Sequence, residues 1–545
     1  MSHTEELDPN NWNSLAPHFA ALLAIDLFPA GVHHWLRRWS DLEKIVWEAR
    51  ARLKQARSWD VTNPVAQQAF NDFTVGTFAH FQTATQQLKA KLLSIPTYRP
   101  APPHIELLHR WRNESDLFRP VNVPLQAQID VLANSYDGLV RAIDERSSLS
   151  DSTETTWRQR NQHWLERREQ FDQLFLELLR LRRQLAQNAG LPDYRAYRWR
   201  EMGRLDYTPD SCRLFHEAVA TQLVPVVQQL SARRRDKQHV MRRPWETLRP
   251  ADTDHQAVFA TTAAFEAGMA HVFTAFDPYL GTLFTKMRAG FLDLGTRAGK
   301  AGGGEEWFFP LTGLPYVRMD SDGTVEGISL LLHECGHAFH DFLSSSHQEL
   351  IWNVGGPTEF EEFAAIALTY LALPHLHQQG VYSAAEMAQV LANQIEEAIM
   401  HWVPHIAHVD AFQHWVYAEA PENVQPADLD AQWDALAQRF QPDIDWTGLT
   451  AERALGWQQV GLLFQVPFYY LEYALAHLGA LQIWQKMRAD PEATWQAYRA
   501  ALALGNTRPL RELYEIAGAR LPFNVQIVSE VVQAVADYLD NRTLD

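Results

Sequence analysis

Apolar residues over the first two hundred positions recur at three- and four-residue intervals. Trp35–Arg52, Val65–Leu92, Leu125–Ile143 and Thr155–Asn188 carry this spacing with charged residues between, which predicts a succession of amphipathic helices. Pro96, Pro100, Pro102 and Pro103, then Pro120 and Pro124, and later Ser147 to Ser152, mark the expected loops. The basic run from Arg180 to Arg183 reads as a solvated helix face because acidic residues lie beside it. After a Gly-Leu-Pro break at Gly190, helical spacing returns over Ser211–Lys237. A loop with Pro244 and Pro250 follows, then a helix over Gln256–Phe276. Phe291 to Val317 changes rhythm. It is rich in glycine and aromatics and suits short strands joined by turns, with a surface loop as the other reading of the same composition. There is no internal repeat and no low-complexity tail.

The next periodic stretch carries the chemistry. Ile328, Leu331, Leu332, Cys335, Phe339, Phe342 and Leu343 form one apolar stripe, predicting a helix over residues 325–345. At about 100° per residue, His333 and His337 lie about 40° apart on roughly the opposite face, so two imidazoles can reach one ion. Glu334 falls in an adjacent sector, where a general base beside a metal-bound water belongs; the pattern is H-E-x-x-H. Catalytic zinc takes three protein ligands. A third histidine six residues on is absent: Leu343 stands there, and His340 occupies the position where the extended motif has glycine. The next acidic cluster opens a helix over residues 358–373. Thr358 and Glu361 make a capping box, which engages Glu361 with backbone amides and leaves Glu362 as the third ligand. Glu359, one turn earlier on the same face, suits orienting a liganding histidine. His401, His405 and His408 are also spaced like ligands, but Pro404 interrupts them and no glutamate follows the first; they are expected to be structural or to line a cleft.

Composition narrows the class. With 48 basic against 66 acidic residues the net charge of −18 disfavours a nucleic-acid partner. No basic segment leads into an apolar run at the start, and no run of about twenty apolar residues predicts a membrane span. Cys212 and Cys335 are the only cysteines, so a reduced, cytoplasmic setting is expected.

The stretch Arg297 to Gly304, the run His333 to His340, and Pro357 to Glu362 together resemble the oligoendopeptidase F branch of the thimet oligopeptidase family of zinc metallopeptidases. Phe464 to Ala474, running on to Ala480, is similar to that family's tyrosine-bearing segment. Arg204 to Pro209 and Val409 to Trp415 are weaker echoes, and the whole covers about residues 190 to 530. The resemblance implies a mainly α, multi-lobed helical metallopeptidase with a small β-sheet beside a deep active-site cleft. It implies one Zn2+ per chain and short unfolded peptides as substrates. Glu334 would be the catalytic base, and Tyr470 and Tyr473 would be the residues that stabilise the transition state, with Tyr469 a third. A peptide would lie along the sheet edge, where Gly302 and Gly303 permit close backbone approach. A helical lobe over 1–200 and a catalytic body over 201–545 are expected, with the tyrosine segment at 464–480. Two positions depart from the family: Leu462 stands where a substrate-holding histidine is usual, and His477 where glutamine is expected. A zinc carboxypeptidase of similar helical fold, or a weakly catalytic zinc-bearing peptide-binding protein, are the alternatives.

Overall fold

In a computed structural model of the chain, residues 7–96, 98–144, 154–238, 242–246, 258–321, 323–379 and 383–542 are described. The loop expected over Ser147 to Ser152, Pro250, and the first two residues of the helix expected from Gln256 lie outside them. The architecture is mainly α with one small sheet, as expected. Helices occupy Val32–Trp59 (α1), Val123–Asp144 and Glu154–Asn188, where apolar periodicity places them, and Thr262–Phe276, which starts later than expected because residues 258–261 are not helical.

Several sequence expectations need correction. Arg182, in the run read as a solvated helix face, is buried and bonds the carbonyls of Leu463 and Phe464. Pro102 and Pro103 open the helix Pro102–Leu117, and Pro124 is the second residue of Val123–Asp144. Proline is tolerated in a first turn, where its missing N–H has no intrahelical partner, so these prolines start helices and do not mark loops. The stretch predicted as one helix over Val65–Leu92 is two, Pro64–Phe73 and Ala79–Leu93. A single wide turn at Thr74–Phe78 joins them, in which Ala79 N–H bonds the carbonyl of Thr74. No described helix is long and apolar enough to cross a membrane.

The chain groups into two compact units, each built from three separated segments. One comprises Met1–Ser115, Asp254–Leu391 and Ile483–Ala519; the other comprises Asp116–Thr253, Ala392–Gln482 and Arg520–Asp545. This partition differs from a linear boundary at residue 200, since the first 115 residues group with the H-E-x-x-H segment. The reason is visible in the core. Trp39 on α1 and Trp111 lie 4.9 Å apart between ring centroids, and both meet Trp352, at 4.6 and 5.0 Å. Buried Glu43 accepts from the indole of Trp352 at 2.8 Å, so a polar anchor is added to the aromatic one.

The sheet consists of Leu292–Gly295 (β1), Gly304–Phe309 (β2) and Leu314–Ser321 (β3), in the spatial order β1-β3-β2. β1 runs parallel to β3. β2 pairs antiparallel with β3, from Gly304 opposite Met319 to Phe309 opposite Leu314, and its other edge is unpaired within the sheet. The chain then enters Val325–His347 (α2), capped by Thr324, whose side chain accepts from Gly327 N–H. The predicted apolar stripe of α2 is buried, apart from a half-buried Phe342. Thr358–Ala372 (α3) packs against α2. The second unit holds Val403–Ala418 (α4) and the tyrosine-bearing start of Leu471–Ala489 (α5).

α2 and α3 approach most closely at Gly336. A Cβ there would overlap the Cα of Ala365 and lie 3.1 Å from the carbonyl oxygen of Ala364. Gly336→Val should therefore destabilise the protein by about 1–3 kcal/mol through overpacking and weaken metal retention. An unchanged denaturation midpoint would contradict this packing.

Candidate metal centre

α2 presents His333 and His337 one turn apart, and α3 brings Glu362 to face them. Nε2 of His333 and Nε2 of His337 are 3.3 Å apart; Oε2 of Glu362 lies 3.5 Å from the first and 3.9 Å from the second. An ion held tetrahedrally at about 2.0–2.1 Å from each donor sets its donors about 3.3–3.4 Å apart, so this set fits a zinc ion. The protonation states fit as well. Desolvation pulls His333 down to about 4, and His337 well below its ordinary value with His333 and His340 adding to the effect, so both rings are neutral and can offer lone pairs. Both histidine side chains keep some exposure, 25% and 19%, whereas Glu362 is buried.

Glu334 points elsewhere on α2 and is 5% exposed. It lies against the start of β2: a Cβ on Gly304 would collide with its Oε1. The backbone of Gly304 thus meets the carboxyl end of Glu334 where strand and helix come together. Burial raises the Glu334 carboxyl to about 8, with Glu362 and Glu305 adding repulsion and Arg318 opposing it. An acid so displaced, beside a set of metal donors, has the character of a general base or acid poised near neutrality.

The surrounding acids are arranged differently from the capping box read in the sequence. Thr358 is the first helical residue, and the cap position is Pro357, which has no side chain to offer. Glu361 is nevertheless engaged with the backbone: its Oε1 accepts from Gly356 N–H at 3.0 Å. Glu362 is left to face the histidines. Glu359 is buried on the same helix, and its carbonyl accepts from the hydroxyl of Tyr514 at 3.2 Å. His340 and Leu343 take no part in the donor set. His340 is packed against Phe360 with neither ring nitrogen hydrogen-bonded, and burial lowers it to about 3.

Gly302 and Gly303 are exposed at the entrance to β2, and Gly303 has a left-handed backbone, φ 78°. Their carbonyls accept from Arg318 at 3.0 and 3.3 Å. Tyr469, Tyr470 and Tyr473 belong to the other unit. Their rings form a small cluster, with centroids of Tyr470 and Tyr473 6.1 Å apart and those of Tyr469 and Tyr473 5.6 Å apart. Burial raises the Tyr470 phenol to about 12, which keeps it a proton donor. The ring of His405 stands perpendicular to Tyr470 at 5.7 Å, and His401 stacks on His405 at 5.7 Å. Burial holds His401, His405 and His408 at about 3, 4 and 3; their ring nitrogens do not converge as those of the His333 group do. Pro404 sits in the first turn of α4, following a wide turn at Ala398–Trp402.

A second convergence was not legible in the sequence. Cys212, Asp410 and His414 bring ligating atoms together, and His216 joins them, its Nε2 2.8 Å from Asp410. His414 and His216 hold the Asp410 carboxyl well below its ordinary range against the effect of burial. Arg195 reaches Nδ1 of His414 at 3.3 Å, which leaves the proton on Nε2, facing Asp410. This is a buried cluster in which the carboxyl of Asp410 lies between two imidazoles. Only the i, i+4 spacing of Asp410 and His414 hints at it in the sequence.

Residues 150–532 match the family model of peptidase family M3. Among solved structures, the fold is similar to a protein assigned as an oligoendopeptidase F (TM-score 0.85, 21% identity, 98% of each chain). It is also similar to Pz peptidase A with an inhibitor (0.86, 21%, 99% of each). A protein assigned as oligoendopeptidase F from Bacillus anthracis is similar as well (0.83, 18%, 99% of this chain and 98% of that one). No curated protein matches the chain by sequence.

The raised Glu334 carboxyl has a consequence for stability without metal. Its ordinary value is 4.5 and its folded value about 8, so its contribution is fully present below about pH 4.5 and lost as pH rises through about 8. Chelator-treated Glu334→Gln should therefore gain stability over the chelator-treated parent between pH 5 and pH 9, by a few kcal/mol. Parallel losses in both proteins, measured by urea denaturation, would contradict this.

Proposed function

Because the chain belongs to peptidase family M3, we propose that it is a zinc-dependent oligoendopeptidase that hydrolyses internal bonds of short unfolded peptides. The observation that carries this reading is the convergence of Nε2 of His333, Nε2 of His337 and Oε2 of Glu362, with the carboxyl of Glu334 beside them. Zinc bound there, one per chain, would supply a Lewis acid that brings the pKa of a water toward neutrality, polarises the scissile carbonyl and favours the ionised form of Glu334.

The rest of the chemistry belongs to side chains. Glu334 takes the proton of the attacking water and delivers it to the leaving amine, a role suited to a carboxyl whose affinity for protons is raised by burial. Glu359 holds a liganding ring from behind. Tyr470, kept protonated by burial, and Tyr473 donate to the developing oxyanion, and Tyr469 contacts the peptide. The unpaired edge of β2 offers main-chain groups to an extended substrate, with Gly302 and Gly303 leaving room for its backbone. This reading needs no nucleic-acid or membrane partner. A cytoplasmic setting agrees with Cys212 and Cys335 being buried free thiols.

Blocked and unblocked peptides of graded length, analysed by mass spectrometry with and without chelator, test the reading. Internal cuts in short peptides, blocked ones included, are expected, and the chelator should abolish them. Glu334→Gln should retain one zinc per chain while losing about 10²- to 10⁴-fold in turnover; unchanged turnover would sink the mechanism. Trimming from C-termini alone would favour a carboxypeptidase, and bound zinc without cleavage a binding protein.

A further inference from the structure

The tyrosine segment enters α5 through a turn that the sequence does not announce. Phe468 is the only described residue other than glycine with a left-handed backbone, φ 68°, a conformation strained for a side chain of this size. Such strain persists where the surroundings over-determine it. At Phe468 they do. Its N–H donates to Oε1 of Gln413 at 2.5 Å, and its carbonyl accepts from Arg204 at 2.7 Å. The same guanidinium pairs with Glu472 at 2.9 Å, and both side chains are 1% exposed. One residue earlier, Nε of Arg198 donates to the carbonyl of Pro467 at 3.1 Å; Arg182 reaches the carbonyls of Leu463 and Phe464. Trp199, His414 and Tyr417 surround the Phe468 ring, with centroids 5.7, 5.3 and 5.5 Å away.

A connection that merely closed a loop would have no need of desolvated guanidinium groups on its carbonyls, because burying a cation carries a solvation cost that the contacts must offset. The residues after the turn supply the reason. Tyr469 and Tyr470 come directly after Phe468, and Tyr473 comes directly after Glu472 in the first turn of α5. The Arg204–Glu472 pair sets the rotation of α5 about its axis. The two bonds to Phe468 set the direction from which the chain enters it. Arg204 and Gln413 also lie in the two weaker sequence echoes, Arg204 to Pro209 and Val409 to Trp415, which meet at this one residue.

We propose that Arg204 and Gln413 are positioning residues for hydrolysis: by locking the left-handed turn at Phe468 they aim the hydroxyls of Tyr470 and Tyr473. The proposal rests on the oxyanion role given to those tyrosines above. Neither residue needs to touch substrate; both act through the backbone of Phe468. Their loss should therefore be felt in the transition state and not in ground-state binding.

Gln413→Met keeps the volume and removes the acceptor. It should lower kcat by about 10- to 100-fold, with KM within about threefold and zinc content unchanged. Arg204→Met removes the Nη2 that donates both to the carbonyl of Phe468 and to Glu472, and should show the same split. The decisive comparison places Gln413→Met in a Tyr470→Phe/Tyr473→Phe background. With no hydroxyls left to aim, kcat there should change by less than about threefold. An equal loss in that background, or full turnover in both single variants, would overturn the proposal and leave the peptidase reading standing. Full turnover in the Tyr470→Phe/Tyr473→Phe protein itself would instead remove the oxyanion role, and the positioning role with it.

Discussion

The candidate metal centre depends on how close two helices can come. Glu362 is carried by α3, and it reaches the histidines of α2 where Gly336 has no Cβ to hold the backbones apart at Ala365. The separations of 3.5 and 3.9 Å between Glu362 and the two histidines span that contact. A second close approach sets the backbone of Gly304 in strand β2 against the carboxyl end of Glu334. The first contact is backbone on backbone, and the second is backbone on the end of a side chain.

The same compactness makes the region electrostatically costly. Glu334, Glu306, Asp341 and Glu361 are all pushed upward by burial, and neighbouring carboxylates add to the effect. Cations are few here: Lys54 and Arg318 both attend Glu305 at the edge of the cluster. A core built for stability alone would avoid such a concentration of acids. Its presence beside neutral imidazoles is the electrostatic signature of a site that expects positive charge.

The second unit solves a different problem with opposite charges. Buried arginines there are placed on backbone carbonyls, and Arg204 combines a carbonyl with a carboxylate. Directional hydrogen bonds from a rigid guanidinium can hold a turn that its own residues would not choose. The acid-rich and arginine-rich regions are thus two forms of preorganisation, one holding donors for an ion and the other holding backbone geometry.

The helical class and the convergence of His333, His337 and Glu362 were legible in the sequence because each rests on local periodicity: the spacing of His333 and His337 along one helix, and the position of Glu362 just beyond a first turn. The Pro102, Pro103 and Pro124 misreading shows the limit of local rules, since proline both ends and begins helices and only the hydrogen bonds around it tell which. What tertiary structure alone decided is non-local. The first helices join the unit of the H-E-x-x-H helix because Trp39 and Trp111 meet Trp352, and Phe468 turns left-handed because Arg204 and Gln413, each far away in the chain, bond its two ends. Contacts between residues so distant leave no period in the sequence, so no reading of spacing could have found them.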